Sequence, residues 1–195
     1  MNILIIGAHG QIARVATPLF LAHPEVRLTL FLRRAARLRD AGPGDRVRVV
    51  EGDATDEAAL AAARAEQDAV YVNLAGDLPR QAHAIVAAMK ATGVRRLVFI
   101  SSMGVYDEVP GERHGSILDP YREATRIVET SGLDYTIVRP AWLNDRDEVS
   151  YGTTRKGEPF ANAQATVSRK SVADLVVGAV IDGEGLSESL GVHAA

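Results

Sequence analysis

No cysteine occurs among the 195 residues, which removes disulfide bridges, thiolate metal sites and cysteine nucleophiles together. Aromatic residues make up only 5%, a composition that fits a buried parallel sheet better than a β-sandwich. Positive charge is not in excess. The formal net charge of −3 speaks against a dedicated nucleic-acid binder, which needs a concentrated basic surface. No stretch approaches the roughly 18 consecutive apolar residues of a membrane span. The six residues before Gly7 are too few, and too soon followed by polar ones, to read as a signal peptide. These absences lead to the expectation of a soluble cytoplasmic protein. No two histidines stand at His-x-x-x-His spacing, so no metal site is expected.

What is present is apolar bulk, 47% of the chain, with 24% charged residues. That is enough for one substantial core and too little for two ordinary domains, so residues 1–195 are read as one domain. Short apolar runs at Met1 to Ile6, Arg27 to Leu32, Val47 to Val50, Ala69 to Val72, Arg96 to Ile100 and Tyr135 to Val138 read as six strands. Helical spacing falls between them, over Gln11 to Ala22, Thr55 to Ala65, Pro79 to Thr92, Tyr121 to Thr130 and Ser171 to Ile181. Thr55 is a candidate N-cap, Gly93 a helix stop, and Gly42, Pro43 and Gly44 mark a loop. Strands alternating with helices at this spacing predict an α/β fold with a doubly wound parallel sheet, a Rossmann fold, because each parallel crossover needs a helix to return the chain. The polar, weakly periodic stretch from Asp145 to Gln164 reads as a mobile flap over the sheet's C-terminal edge.

The first strand runs into Gly7-Ala8-His9-Gly10-Gln11-Ile12-Ala13, a GxxGxxA turn between strand and helix. Gly7 permits a tight turn, Gly10 lets backbone approach a pyrophosphate, and Ala13 lets the helix lie close to the sheet. The helix N-terminus then offers free N–H groups to an anion. His9, Gln11 and Ile12 complete the turn as candidate cofactor contacts. After the second strand stand Arg33 and Arg34, with no acid beside them. An acidic residue there would hold the 2′-hydroxyl of NAD, whereas a guanidinium pairs with the 2′-phosphate of NADP. NADP(H) is therefore the expected cofactor. The competing reading gives both arginines to a solvated basic segment that includes Arg37 and Arg39.

With these residues the chain resembles the atypical short-chain dehydrogenase/reductase superfamily, in its small NAD(P)H-binding branch of NmrA-like proteins and flavin or biliverdin reductases. The resemblance spans essentially the whole chain. It is carried by the glycine turn, by Glu51-Gly52-Asp53-Ala54, by Asn73-Leu74-Ala75-Gly76, by Ser101-Ser102-Met103-Gly104, by the run from Ser131 to Pro140, and by Val167 to Ala173. It implies that Asp53 and Ala54 hold the adenine, that Leu74, Ala75 and Gly76 line the adjoining ribose, and that Pro140, Ala141 and Trp142 bound the nicotinamide. Ser101 joins this cofactor set. On the residues alone, Asp53 could instead cap the helix near Thr55, and Asn73 could satisfy backbone groups at its strand end.

The catalytic pattern of the superfamily is a Ser after the fifth strand and a Tyr-x-x-x-Lys on the next helix, the lysine lowering the tyrosine's pKa. Ser102 and Tyr121 match its first two members and are the catalytic candidates. Thr125 stands where the lysine should be. Arg122 and Arg126 are nearby cations, and Tyr106 and His114 are alternative proton donors. Trp142, the sole tryptophan, or Tyr151 would wall the acceptor pocket.

The cofactor site is thus better supported than the proton donor. The expected function is an NADPH-dependent oxidoreductase that passes hydride to a small acceptor needing little acid catalysis, a quinone or flavin, with no nucleic-acid or membrane partner and as monomer or homodimer. The alternative is a non-catalytic NADP(H)-binding redox sensor of NmrA type. A sugar-nucleotide epimerase or dehydratase is disfavoured, because only about 55 residues follow Pro140, little room for a substrate subdomain.

Overall fold

The computed structural model describes residues 1–38, 44–64, 66–112 and 115–195. Arg39, the loop residues Gly42 and Pro43, the expected helix end at Ala65 and the candidate donor His114 lie outside the described residues.

The apolar runs form strands β1 (Asn2–Ile6), β2 (Arg27–Leu32), β3 (Val47–Glu51), β4 (Ala69–Val72), β5 (Arg96–Ile100) and β6 (Asp134–Pro140). They are mutually parallel in the order β3-β2-β1-β4-β5-β6. Helices α1 (Gln11–Leu21), α2 (Glu57–Arg64), α3 (Leu78–Thr92), α4 (Asp119–Glu129) and α5 (Arg169–Ile181) cover the two faces. Successive strand residues point to opposite faces, so Ile3 and Ile5 pack with α1 and α5 while Leu4 and Ile6 pack on the side of α2, α3 and α4. This two-sided burial explains why the strands read as unbroken apolar runs. The doubly wound Rossmann architecture is as expected.

The sheet is wider than six strands. β10 (Glu188–His193) adds in parallel beside β6, and β8 (Gly152–Arg155) closes the edge antiparallel to β10, giving eight strands among the described residues. Neither is an apolar run visible in the sequence: they hold Gly152, Thr153, Ser189 and Gly191, and long-range pairing determines them. A separate two-stranded sheet pairs β7 (Trp142–Asn144) with β9 (Thr166–Ser168).

These strands also correct the expected flap. Its second half is committed to the sheet and core: Thr154 is buried in β8, and Phe160 is buried with its ring edge-on to His193 at 6.1 Å. Helix starts shift for local reasons. Asp56, not Thr55, caps α2, since its Oδ1 accepts the N–H groups of Ala58 and Ala59 at 3.0 Å. α4 begins at Asp119, two residues before Tyr121, with Pro120 in its first turn. Ser168 caps α5 by accepting from Ser171 N at 2.9 Å, which starts that helix at Arg169 rather than Ser171. Gly93 ends α3 in the left-handed conformation, as expected.

Candidate functional site

The chain turns back at the C-terminal ends of β1 and β4, where the winding reverses and a crevice opens. Gly7 leaves β1 with φ +81°, and a Cβ there would lie 2.9 Å from the carbonyl carbon of Asn73. Its N–H donates to Phe31 O at 2.9 Å, which ties the turn to β2. Asn73, after β4, holds the other side. Its backbone N–H donates to Ile6 O at 2.9 Å, and its Oδ1 accepts from Ala13 N at 3.1 Å. Asn73 therefore caps the third residue of α1 from outside the helix. The N–H groups of Gln11 and Ile12 have no acceptor among the described residues. They face the crevice with the partial positive charge of a helix start, an arrangement suited to an anion.

At the ends of β2 and β3, a short 3-10 turn at Ala35–Leu38 brings Arg37 to the same cavity as Arg33 and Arg34. Glu51 is spent on this turn, its Oε2 accepting from Ala35 N at 2.8 Å. Asp53 does not cap α2. Its Oδ1 accepts from the Thr55 N–H at 2.9 Å and the Thr55 hydroxyl at 2.8 Å. Those two bonds, with Arg33 and Arg80 adding to them, hold its carboxyl below the usual carboxylate range. It is the sole acidic side chain on the cavity wall among the described residues.

At the ends of β5 and β6 the expected catalytic residues come together only in part. Ser102 and Tyr121 both line the cavity, but the Ser102 hydroxyl donates to Met103 O at 3.0 Å. Thr125, one turn beyond Tyr121, is buried and hydrogen-bonds the Ser101 hydroxyl at 2.8 Å. Arg122 does not replace the lysine. It is drawn to the outer loop, donating to Asp107, to Asp119 and to the carbonyl of Gly115. Tyr106 is no donor to the cavity either: its hydroxyl donates to Glu129 at 2.6 Å, and burial, reinforced by that carboxylate, pushes its pKa up.

Pro140 and Ala141 are buried under the cavity, and Trp142 stands at its rim, 58% exposed. Tyr151 faces elsewhere, its hydroxyl donating to Asp174 of α5 at 3.1 Å. Gly76, with φ +96°, lies beyond the lining. The remaining expected cofactor residues, Gly7, His9, Gly10, Gln11, Ile12, Arg33, Arg34, Asp53, Ala54, Leu74, Ala75 and Ser101, share one cavity of about 900 Å³ with Ser102 and Tyr121. That volume sits near the top of the range of roughly 300–1,000 Å³ usual for ligand sites. Asn73, Arg37, Gln81 and Arg169 also line it. For Arg37 the basic run was the available signal. Arg169 lies in the Val167 to Ala173 run that carries the resemblance, but nothing in that run assigned it to the cavity, and no sequence pattern flagged Gln81.

Comparison with known proteins agrees with this geometry. The model of a family described as NAD(P)H-binding matches residues 7–182. The chain is 30% identical to an uncharacterized sugar epimerase, YhfK, of Bacillus subtilis, over 92% of its own length and 88% of that protein. It is 37% identical to a (4-alkanoyl-5-oxo-2,5-dihydrofuran-3-yl)methyl phosphate reductase of Streptomyces griseus, over 71% of its length but only 46% of that longer protein. Among solved structures, a Rossmann-fold NAD(P)-binding family protein from Shigella flexneri superposes with TM-score 0.87 at 40% identity, covering 99% of this chain and 93% of that one. A short-chain dehydrogenase/reductase from Veillonella parvula, solved in complex with NADP, gives TM-score 0.86 at 27% identity, covering 98% and 94%.

Proposed function

The chain belongs to a family described as NAD(P)H-binding, and from that premise we propose that it is an NADPH-dependent oxidoreductase passing hydride to a small electron-poor acceptor such as a quinone or flavin. The observation that carries the reading is the arginine set Arg33, Arg34 and Arg37 on the cavity wall beyond the glycine turn, with no acid at the end of β2. A planar guanidinium suits a 2′-phosphate as it does not suit a bare ribose hydroxyl.

The residues present fit a dinucleotide. The free N–H groups of Gln11 and Ile12 would take its pyrophosphate, Asp53 and Ala54 its adenine, Leu74 and Ala75 the adjoining ribose, and Ser101, Pro140 and Ala141 its nicotinamide end. When bound, the reduced dinucleotide supplies two electrons as hydride. The chain orients the acceptor. Buried Pro140 and Ala141 give the cavity an apolar patch, and the exposed ring of Trp142 lines it beside them. Reduction is completed by one proton, taken at the acceptor oxygen or nitrogen from water, Ser102 or Tyr121. An acceptor that tolerates a slow proton step matches a wall without a lysine, and the Streptomyces relative is named as a reductase of a conjugated furanone.

The single tryptophan reports on the site. NADPH and NADH are titrated by Trp142 fluorescence against the wild type and Arg33→Ala. Tight NADPH binding that weakens about tenfold or more in the variant, with NADH little changed, supports the reading. Equal affinity for both dinucleotides, unaffected by the substitution, rejects the NADP preference.

A second reading, a non-catalytic NADP(H)-binding redox sensor, is favoured by Thr125 bonding Ser101 where a catalytic lysine would stand. NADPH binding without turnover of any quinone or flavin selects it. An epimerase is less well supported, because the residues after Pro140 are committed to β7 to β10 and α5.

A further inference from the structure

Arg169 lines the same cavity as Arg33, Arg34 and Arg37 but comes from α5 rather than from the end of β2. It is the first residue of α5, it lines the cavity, and its side chain is only 16% exposed. Its Nε donates to Gln11 Oε1 at 2.9 Å, and its Nη1 donates to Asp145 Oδ1 at 2.8 Å. Nη2 has no acceptor among the described residues. Gln11 is also the first residue of α1 and carries one of the two free N–H groups of the glycine turn. A guanidinium largely withdrawn from water thus stands beside a row of N–H donors, placed there by a helix more than 150 residues away.

Its one ionic partner among the described residues is weakly held. The Asp145 side chain is 86% exposed and belongs to the segment after β7, outside the cavity wall. An exposed carboxylate exchanges freely with water and gains little from such a pair, while a largely buried guanidinium has more to gain from an anion out of reach of water. Asp53, which follows β3, is the sole acidic side chain on the cavity wall among the described residues.

Resting on the dinucleotide reading of the cavity, we propose that Arg169 is an oxyanion-binding residue, taking a phosphate or carboxylate oxygen of the bound molecule in place of Asp145. Two molecules could supply that oxygen. One is the dinucleotide itself, through its pyrophosphate beside Gln11. The other is an acceptor that carries an acidic group.

The test compares wild type, Arg169→Gln and Asp145→Asn. NADPH is titrated by tryptophan fluorescence. FMN and riboflavin, which share a ring and differ by a phosphate, are titrated onto the NADP⁺-loaded protein. Circular dichroism and a thermal melt confirm that both variants fold. If the cofactor supplies the oxygen, Arg169→Gln weakens NADPH about tenfold and Asp145→Asn tightens it by removing the competing carboxylate. If the acceptor supplies it, NADPH binding is unchanged, FMN loses its advantage over riboflavin in Arg169→Gln, and Asp145→Asn enlarges that advantage.

Arg169→Gln without effect on NADPH, and with FMN and riboflavin bound as in wild type, overturns the proposal. So does an Asp145→Asn variant that weakens binding as Arg169→Gln does, since Asp145 would then be holding Arg169 in place. Wild-type protein that binds neither NADPH nor NADH refutes the underlying dinucleotide reading, a result distinct from wild-type binding that the variants leave untouched.

Discussion

The side chain of Asn73 occupies the space that a Cβ on Gly10 would need: such a carbon would lie 2.8 Å from Asn73 Cγ and closer still to Oδ1. The second glycine of the turn is therefore fixed by packing against β4 as well as by any ligand. Asn73 reaches this position to cap Ala13 N, so turn, helix and neighbouring strand are joined through one amide.

Gly10→Ala is expected to destabilise the fold by about 1–3 kcal/mol, because it ejects the Asn73 side chain and leaves its partner unpaired. Asn73→Ala alone should cost about 1 kcal/mol. The double variant should lose well under the sum of the two single losses, since the clash partner is gone. Urea denaturation of the four proteins reads the coupling directly, and strict additivity would show that the two residues act separately.

Arg139 and Glu108 form a buried ion pair beneath the site, with Arg139 also donating to Ser189 Oγ at 3.0 Å and Thr154 O at 3.0 Å. Glu108 further accepts the N–H groups of Gly104 and Tyr106, which fastens the loop after β5. Glu108→Ala leaves a fully buried guanidinium unpaired and should cost about 3–5 kcal/mol. Glu108→Leu combined with Arg139→Met should cost less than either change alone, as a fall in the urea midpoint would reveal. A Glu108→Ala midpoint equal to that of wild type would refute the account.

Tyr71 is fully buried between β1 and β5, and its hydroxyl has no hydrogen-bond partner among the described residues. Burial raises its pKa far above the ordinary value near 10. The folded state therefore holds this proton more tightly than the unfolded chain. Its contribution is intact below about pH 10 and is lost as pH rises beyond it. Burial raises Tyr106 and Tyr151 as well, so all three act in the same direction. Tyr71→Phe removes an unsatisfied hydroxyl, so at neutral pH it should stabilise the protein by about 1 kcal/mol and flatten the loss above about pH 10. Melting temperatures from pH 7 to 11 test both parts, and a destabilised Phe variant would mean that the hydroxyl is satisfied in solution.

Thr125→Lys writes the superfamily pattern back into the sequence but should not create the activity it implies. Thr125 is buried against Ser101, so a lysine there would lose hydration without a counter-ion, a change expected to cost several kcal/mol, about 3 or more. Tyr121→Phe, in contrast, should leave quinone turnover within about threefold, if water supplies the proton. A Thr125→Lys variant that is stable and reduces simple ketones would overturn this view of the site.

Much of the site was legible because it is local. Gly7, Gly10 and Ala13 sit within one turn, and the φ of +81° at Gly7 is a backbone demand that few other residues meet. Arg33 and Arg34 follow their strand directly. Asp53 was legible as a polar residue at a strand end, but its engagement with Thr55 rather than with the helix depended on where α2 starts, which the Asp56 cap decides. Tyr106 and Tyr151 looked like candidates from chain proximity, and each is turned away by a partner distant in sequence, Glu129 and Asp174.

By itself the sequence determined the alternation of strand and helix, the glycine turn and the basic end of β2, because these rest on periodicity and on residue-level backbone preferences acting over a few positions. The tertiary structure alone decided that β10 and β8 widen the sheet, that residues 152–163 join sheet and core, and that Gln81 and Arg169 reach the cavity. Those outcomes depend on contacts between residues tens to more than a hundred positions apart, as in the Arg169 bond to Gln11. No local pattern encodes them, since their free energy arises only once the sheet has formed and the two faces are packed.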